Sequence, residues 1–447
     1  VFVQEIPESV KDYIINAVKS VEKKLGRKLD VLIISDKSDK TSYRFRMPKN
    51  YKQIFINTNS VSQIESTLKP YLDKIVGIVC RGEKNLLYFQ KIIPQVPYLE
   101  TPTPESIDWS TNKILMRRRL RHFEKKLAPK YLVVDDYSEA TLKKIKTKVG
   151  YPCIVKPTGL AASVLVQVCF YQEEAEQALK LSFRKLKSVY RAKGYLGVPS
   201  IIVEQFMEGS MYSTDIYVNS RGTMYATPLV KITTGYSVGL KDFFGYKQIT
   251  PTKLTSHKEQ RAIAVAKQSV EALGLRSTTA HVELMKTDEG WKIIETGART
   301  GGFRDFLYSE AYNLDHSQND ILIRLPMRPV IPRHQRKHAC VMKIYPKTEG
   351  KIASFIGLRK IQRLESVLRV DQNRKVGDKA VFARNGGGSI FNIYLSNKDR
   401  SDLLADMRRV EKFLEIEVKK STIESEKSVV ERFKPSDILE AEQNPVK

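Results

Sequence analysis

Three short segments of this chain set a charged side chain on a run of apolar residues that would hold it rigidly. The first, Tyr151-Pro152-Cys153-Ile154-Val155-Lys156-Pro157, closes a buried-strand pattern on a lysine. An ammonium in that setting is costly unless it meets an anion or water, so Lys156 reads as an anion ligand or, more plainly, as a lysine snorkelling at a strand end. The second, Ile201 to Gly209, runs an apolar strand into Glu204 and then a glycine turn. Its carboxylate and the backbone behind it suit an adenine edge; the plain alternative is a strand ending in a solvated loop. The third is His281-Val282-Glu283 followed by Ile293-Ile294-Glu295-Thr296-Gly297-Ala298-Arg299-Thr300-Gly301-Gly302. Two carboxylates on adjacent antiparallel strands, with an arginine beyond the second, can hold Mg²⁺, which takes one or two carboxylates and leaves its other positions to water and phosphate oxygens.

The elements that must position these residues follow from the apolar pattern. Val31-Leu32-Ile33-Ile34, Gln53-Ile54-Phe55-Ile56 and Ile75-Val76-Gly77-Ile78-Val79 read as strands spaced by helical stretches such as Val10 to Leu25, a parallel sheet with helices on both faces. Prolines 94, 97, 102 and 104 then mark a boundary. Thr111 to Leu127 predicts a basic helix in which Arg117, Arg121 and Lys125 share a face. A strand at Tyr131 to Val134, a helix at Ser138 to Val149 and a hairpin of Cys153–Lys156 with Leu165–Val168 come next. Ser200 to Ile232 is sheet-rich, Thr233 to Thr250 is poorly patterned, and the helix Ser256 to Leu273 leads to strands Ala280–Lys286 and Trp291–Thr296 joined by a polar turn. A helical, basic stretch to Pro332, strands near Ala339–Tyr345 and Ile390–Leu395, and a helix Lys398–Leu414 complete the pattern. The chain divides into an α/β region (1–105), a region opening on the basic helix (106–198), a third region (199–330), a C-terminal α/β region (331–420) and a polar tail (421–447).

Taken in order, the three segments resemble the ATP-grasp superfamily, and within it the carboxylate–amine ligases related to L-amino-acid ligases. The motifs cover Ile107 to Gly302, with the flanking domains similar in layout alone. The resemblance implies an α/β (α+β ATP-grasp) fold with an N-terminal parallel-sheet domain, a two-lobed core and a small C-terminal lobe. It implies ATP and Mg²⁺ or Mn²⁺, small carboxylate and amine substrates such as amino acids, and an amide formed through an acyl-phosphate. Carried over by position, Lys113 and Lys156 match the phosphate lysines and Glu204 the acid at the adenine amino group, with Gln205, Phe206 and Met207 as the hinge against the base. Ser163 falls in the phosphate-covering loop, Glu283 and Glu295 match the metal pair, and Arg299 matches the arginine on the transferring phosphoryl group. Gly301 and Gly302 match the turn near the carboxylate substrate, while His281 and Lys231 fall on the substrate side. The chain departs from the pattern at Gly297, where many relatives have Asn, and at Met211, where an acid often contacts the ribose. Relatives are often homodimers.

Composition narrows the alternatives. The 447 residues, 41% hydrophobic and 28% charged, can bury a sizeable core. Subtracting 50 Asp+Glu from 76 Lys+Arg gives +26, which favours acidic partners. Residues 421–447 carry six acidic and four basic side chains, so the excess belongs to the folded body. Four scattered cysteines without C-x-x-C spacing predict buried free thiols and a cytoplasmic protein. No apolar stretch approaches the ~20 residues of a membrane helix, and no signal segment opens the chain, although its start at Val1 leaves room for a removed leader. Gly386-Gly387-Gly388 lacks the Lys-Ser/Thr of a phosphate loop and predicts a hairpin turn. A second reading, a nucleic-acid-binding module on the same scaffold, rests on Lys113 to Lys130 and the lysines after it, with no aromatic stacking platform beside them.

Overall fold

The computed structural model describes residues 1–3, 6, 8–37, 48–158, 164–192, 200–240, 242–332 and 334–419. Ser163, the loop around it and the tail 421–447 lie outside them.

The N-terminal sheet is parallel, in the order β3-β2-β1-β4, from β1 (Phe2–Val3), β2 (Val31–Asp36), β3 (Tyr51–Ile56) and β4 (Val79–Cys80). Val31 and Ile33 pack under α1 (Lys11–Leu25) with Ile14, Val18 and Val21, while Leu32 and Ile34 meet α2 (Val61–Leu68) and α3 (Leu86–Ile92) on the other face. Burial on both faces explains the unbroken apolar run of β2. Of the strand expected over Ile75 to Val79 just Val79 lies in β4, whose neighbour among the described residues, β1, offers two residues, Phe2 opposite Val79 and Val3 opposite Cys80.

The expected basic helix divides in two, α4 (Pro104–Thr111) and α5 (Lys113–Phe123), at Asn112. The Asn112 side chain accepts from the Ile114 and Leu115 amides and so caps α5. The helix stops before Lys125, and Arg117 is buried, so the predicted basic face loses two of its three members. The small lobe follows as an antiparallel sheet, β5-β8-β6-β7, from β5 (Tyr131–Val134), α6 (Glu139–Lys148), β6 (Cys153–Pro157), β7 (Gln167–Cys169), α7 (Gln172–Ala192) and β8 (Ile201–Gln205). The boundary at 198 therefore moves: β8 hydrogen-bonds to β5 and β6 and belongs to the small lobe.

One nine-stranded sheet forms the rest of the core. Its members are β9 (Ser210–Val218), β10 (Met224–Ala226), β11 (Val230–Thr234), β12 (Gly245–Thr250), β13 (Thr278–Thr287) and β14 (Gly290–Gly297), with α8 (Ser256–Ala272) before the last two. After α9 (Arg304–Tyr312) and α10 (His316–Leu322), β15 (His338–Ile344) joins the same sheet through β12. The strand β16 (Gly350–Ile356) and helix α11 (Leu358–Ile361) precede β17 (Val367–Gln372), β18 (Lys379–Ala380), β19 (Phe391–Asn397), α12 (Arg400–Phe413) and β20 (Glu415–Lys419). The main order is β14-β13-β9-β11-β12-β15-β19-β17, and β18-β16-β20 make a small fourth sheet. The expected boundary at 330 therefore divides one continuous sheet between β12 and β15, and Gly245 to Thr250, expected as unpatterned chain, is a ladder strand between β11 and β15. Its polar sequence hid it because Gln248 and Tyr246 meet Arg304 and Glu411, and Ile249 and Tyr246 alone carry it onto the C-terminal apolar core. All four cysteines are buried and free, and among the described residues no helix is long and apolar enough to cross a membrane.

Candidate active site

Strand alternation fixes which predicted residues meet. In the small lobe, Lys156 faces Ile202 and Ile154 faces Glu204 across β6 and β8, so Lys156 and Glu204 are diagonal neighbours on one face. Lys156 Nζ lies 2.7 Å from Glu204 Oε2. Arg117, from α5, reaches the same carboxylate with Nε at 2.9 Å and Nη2 at 3.1 Å, and Nη2 also donates to the Ile294 carbonyl of β14 at 2.7 Å. Burial raises the Glu204 carboxyl, but the guanidinium and ammonium outweigh it and hold it at about 2. This corrects the reading of Glu204 as a side-chain acceptor for adenine: at 1% exposure its oxygens are already taken by two cations. Beyond it the chain runs through Gln205 to Met207, where the Gln205 and Phe206 amides donate to the Lys130 and Pro152 carbonyls and Phe206 lies beside the stacked rings of Tyr236 and Phe243.

Glu283 and Glu295 stand directly opposite each other across β13 and β14, beside a bulge at Glu283/Leu284. Lys113, the first residue of α5, places Nζ 3.3 Å from Glu295 Oε1. Burial lowers the Lys113 ammonium, and Glu295 together with Glu83 more than restores it; burial raises Glu295, and Lys113, Lys156 and Arg299 together bring it below its usual range. Both carboxylates keep roughly a third or a quarter of their surface open, 31% for Glu295 and 27% for Glu283. Two partly open carboxylates side by side fit a hard divalent cation that completes its shell with water and phosphate. Among the described residues no group of three metal-ligating side chains occurs.

Arg299 Nε lies 2.7 Å from Glu83 Oε2, and its Nη1 donates to the Thr300 carbonyl. Glu83, which the sequence analysis missed, sits just past the end of β4 in a short 3₁₀ turn after Gly82, whose φ of 93° suits glycine. A signal existed: ligands of parallel sheets gather at the carboxyl ends of strands. Gly297 also acquires a reason, since a Cβ there would lie 3.1 Å from Glu83 Oε2.

His281 is buried and structural in its contacts. Its Nδ1 pairs with Asp215 at 2.6 Å and its Nε2 faces Glu283 at 3.5 Å. Burial lowers its basicity but the fully buried Asp215 raises it further. The second Asp215 oxygen accepts from the Gly301 amide at 2.8 Å. A Cβ on Gly301 would come within 2.5 Å of the His281 ring, so the turn requires glycine there, whereas Gly302 faces open space. Lys231 is not brought to the site. It pairs with Tyr212, one residue from the Ser213 that faces Glu283, and therefore projects from the other side of the sheet. Met211 is in register with Ile232 and Met285, an apolar row on the Glu283 face.

Residues 149–305 match the ATP-grasp domain model. The chain carries an ATP-grasp domain. It is 29% identical over 191 residues to the alanine–anticapsin ligase of Bacillus subtilis strain 168, covering 38% of this chain and 40% of that one. It is 26% identical over 212 residues to the D-alanine–D-alanine ligase of Bacillus licheniformis, covering 44% and 52%. The chain thus spans about half the length of these curated relatives. The likeness in fold extends well past the matched segment: the structure aligns with the L-amino acid ligase of Bacillus licheniformis at a TM-score of 0.75 and 18% identity, over 94% of this chain and 98% of that one.

Proposed function

We propose that this chain is an ATP-dependent carboxylate–amine ligase that joins small acids and amines, amino acids among them, through an acyl-phosphate. The observation that carries the proposal is the clustering of Lys113, Lys156 and Arg299 around Glu295, with Glu283 directly opposite it. A carboxylate is a poor electrophile because its leaving group would be oxide. In the proposed reaction a carboxylate oxygen of the substrate attacks the γ-phosphorus of ATP, ADP leaves, and the amine then attacks the acyl carbon. Phosphate departs with that carboxylate oxygen, and the amine gives up a proton.

Each residue has a part in that sequence. Lys113 and Lys156 neutralise the phosphate oxygens, and Glu204 with Arg117 holds the Lys156 ammonium in place. Mg²⁺, when bound at Glu283 and Glu295, would add charge neutralisation on the phosphates. Arg299 steadies the transferring phosphoryl group, and the Gly301–Gly302 turn, tied to Asp215, lies where the acid would sit. Glu83 meets Arg299 from the N-terminal domain and offers an anion to a substrate ammonium. The adenine is read by the chain at Gln205 to Met207 rather than by the Glu204 side chain. Catalysis of this kind is positioning and electrostatics, with no dedicated acid–base pair. The test is an ADP-release screen of amino acids and small acids in pairs, with mass spectrometry of the products. Amide product formed in step with ADP supports the proposal, and no pair-dependent ADP from any combination overturns it.

A further inference from the structure

Beside Arg299 a cavity of about 670 Å³ opens between the N-terminal domain, α9 and the C-terminal strands. One end is the polar group already described, Glu83, Arg299 and the Gly301–Gly302 turn. The other end has a different character: Tyr13 from α1, Phe303 and Phe306 at the start of α9, and Arg369 and Tyr394 from β17 and β19. Arg369 and Tyr394 are cross-strand partners, and the guanidinium lies 3.8 Å from the Tyr394 ring centroid. Tyr394 meets Phe306 edge-on at 5.0 Å and Phe303 at 5.9 Å. Asp371 holds Arg369 Nε at 3.1 Å. One face of the guanidinium is spent on Tyr394, yet 39% of the Arg369 side chain stays exposed.

We propose that this end is a side-chain compartment for an aromatic amino acid, whose carboxylate lies at the Arg299 end; the inference rests on the ligase reading of the same site. Aromatic walls alone would accept any apolar group. A planar guanidinium stacked on one ring can take a second ring on its free face, and edge-on phenyl groups complete the contact. A cavity of this size holds an aromatic amino acid with room for a second small substrate. The compartment is assembled from three parts of the chain, which explains why no sequence motif marks it.

The experiment is calorimetric titration of the full chain with L-phenylalanine and L-alanine in the presence of Mg²⁺ and a non-hydrolysable ATP analogue. The compartment predicts that phenylalanine binds at least tenfold tighter than alanine, and that Arg369→Ala, a change at a partly exposed side chain, cuts that ratio at least fivefold. Tyr394→Leu, with thermal melting as a folding control, should cut it as well. Equal or tighter binding of alanine, or a ratio unmoved by Arg369→Ala, overturns the inference. Preferential phenylalanine binding without ADP formation from any pair would leave the compartment standing and remove the ligase reading. Pair-dependent ADP formation with a preference for alanine would do the reverse.

Discussion

Lys156 and Glu204 illustrate how far single residues can be read. The sequence marks both as costly charges on apolar strands, and the structure joins them at 2.7 Å. Losing preorganised charge at a phosphoryl-transfer centre costs about 3 kcal/mol or more in the barrier, so Lys156→Ala and Glu295→Gln should each lower amine-dependent ADP formation by at least a hundredfold. Melting temperature should stay near that of the parent for Glu295→Gln, whose side chain is partly open; near-normal turnover in either variant would remove these residues from the proposed roles. Glu204 makes a separate prediction about pH. Its carboxyl is held at about 2 in the folded chain, below the usual 4.5, so its stabilising contribution is complete above about 4.5 and is lost as pH falls toward 2. Glu204→Gln leaves two buried cations underpaired and should destabilise by roughly 3–5 kcal/mol at neutral pH. Melting curves between pH 3 and 7 should show the gap to the parent shrinking below pH 4.5, and a gap independent of pH would contradict the assignment.

At the scale of elements, the hairpin β13–β14 and the turn after it act as one unit. Asp215 on β9 holds both His281 and the Gly301 amide, and the His281 ring leaves no room for a Cβ at 301. Overpacking a filled site costs about 1–3 kcal/mol, so Gly301→Ala should destabilise by that amount while Gly302→Ala, facing open space, should fall within about 0.5 kcal/mol of the parent. Denaturant unfolding of the two variants checks this, and equal losses would contradict it. The hairpin was legible because its apolar alternation and polar turn are local. The role of Glu204 was not, because its partner Arg117 lies in a helix far earlier in the chain and looked like part of a solvated basic face. Lys231 shows the limit from the other side: it lies on a strand of the correct sheet, but only the register tells which face it takes.

On the scale of the whole molecule, the parallel N-terminal sheet could be read from apolar runs. The continuity of the large sheet into β15, β19 and β17 could not, since long-range pairing of short strands leaves no local mark. That continuity brings Arg369 and Tyr394 to the same cavity as Arg299, and β4 brings Glu83 to it from the N-terminal domain. That cavity is thus built by the N-terminal domain, the turn and helix after β14 and the C-terminal strands, and its chemistry is best tested as a whole. The most direct measurement uses a substrate acid labelled with ¹⁸O in its carboxylate, paired with the amine found in the ADP screen. Reaction through an acyl-phosphate predicts one ¹⁸O in each phosphate released, read by mass spectrometry or by the isotope shift in phosphorus NMR. Amide formation with unlabelled phosphate would contradict the account.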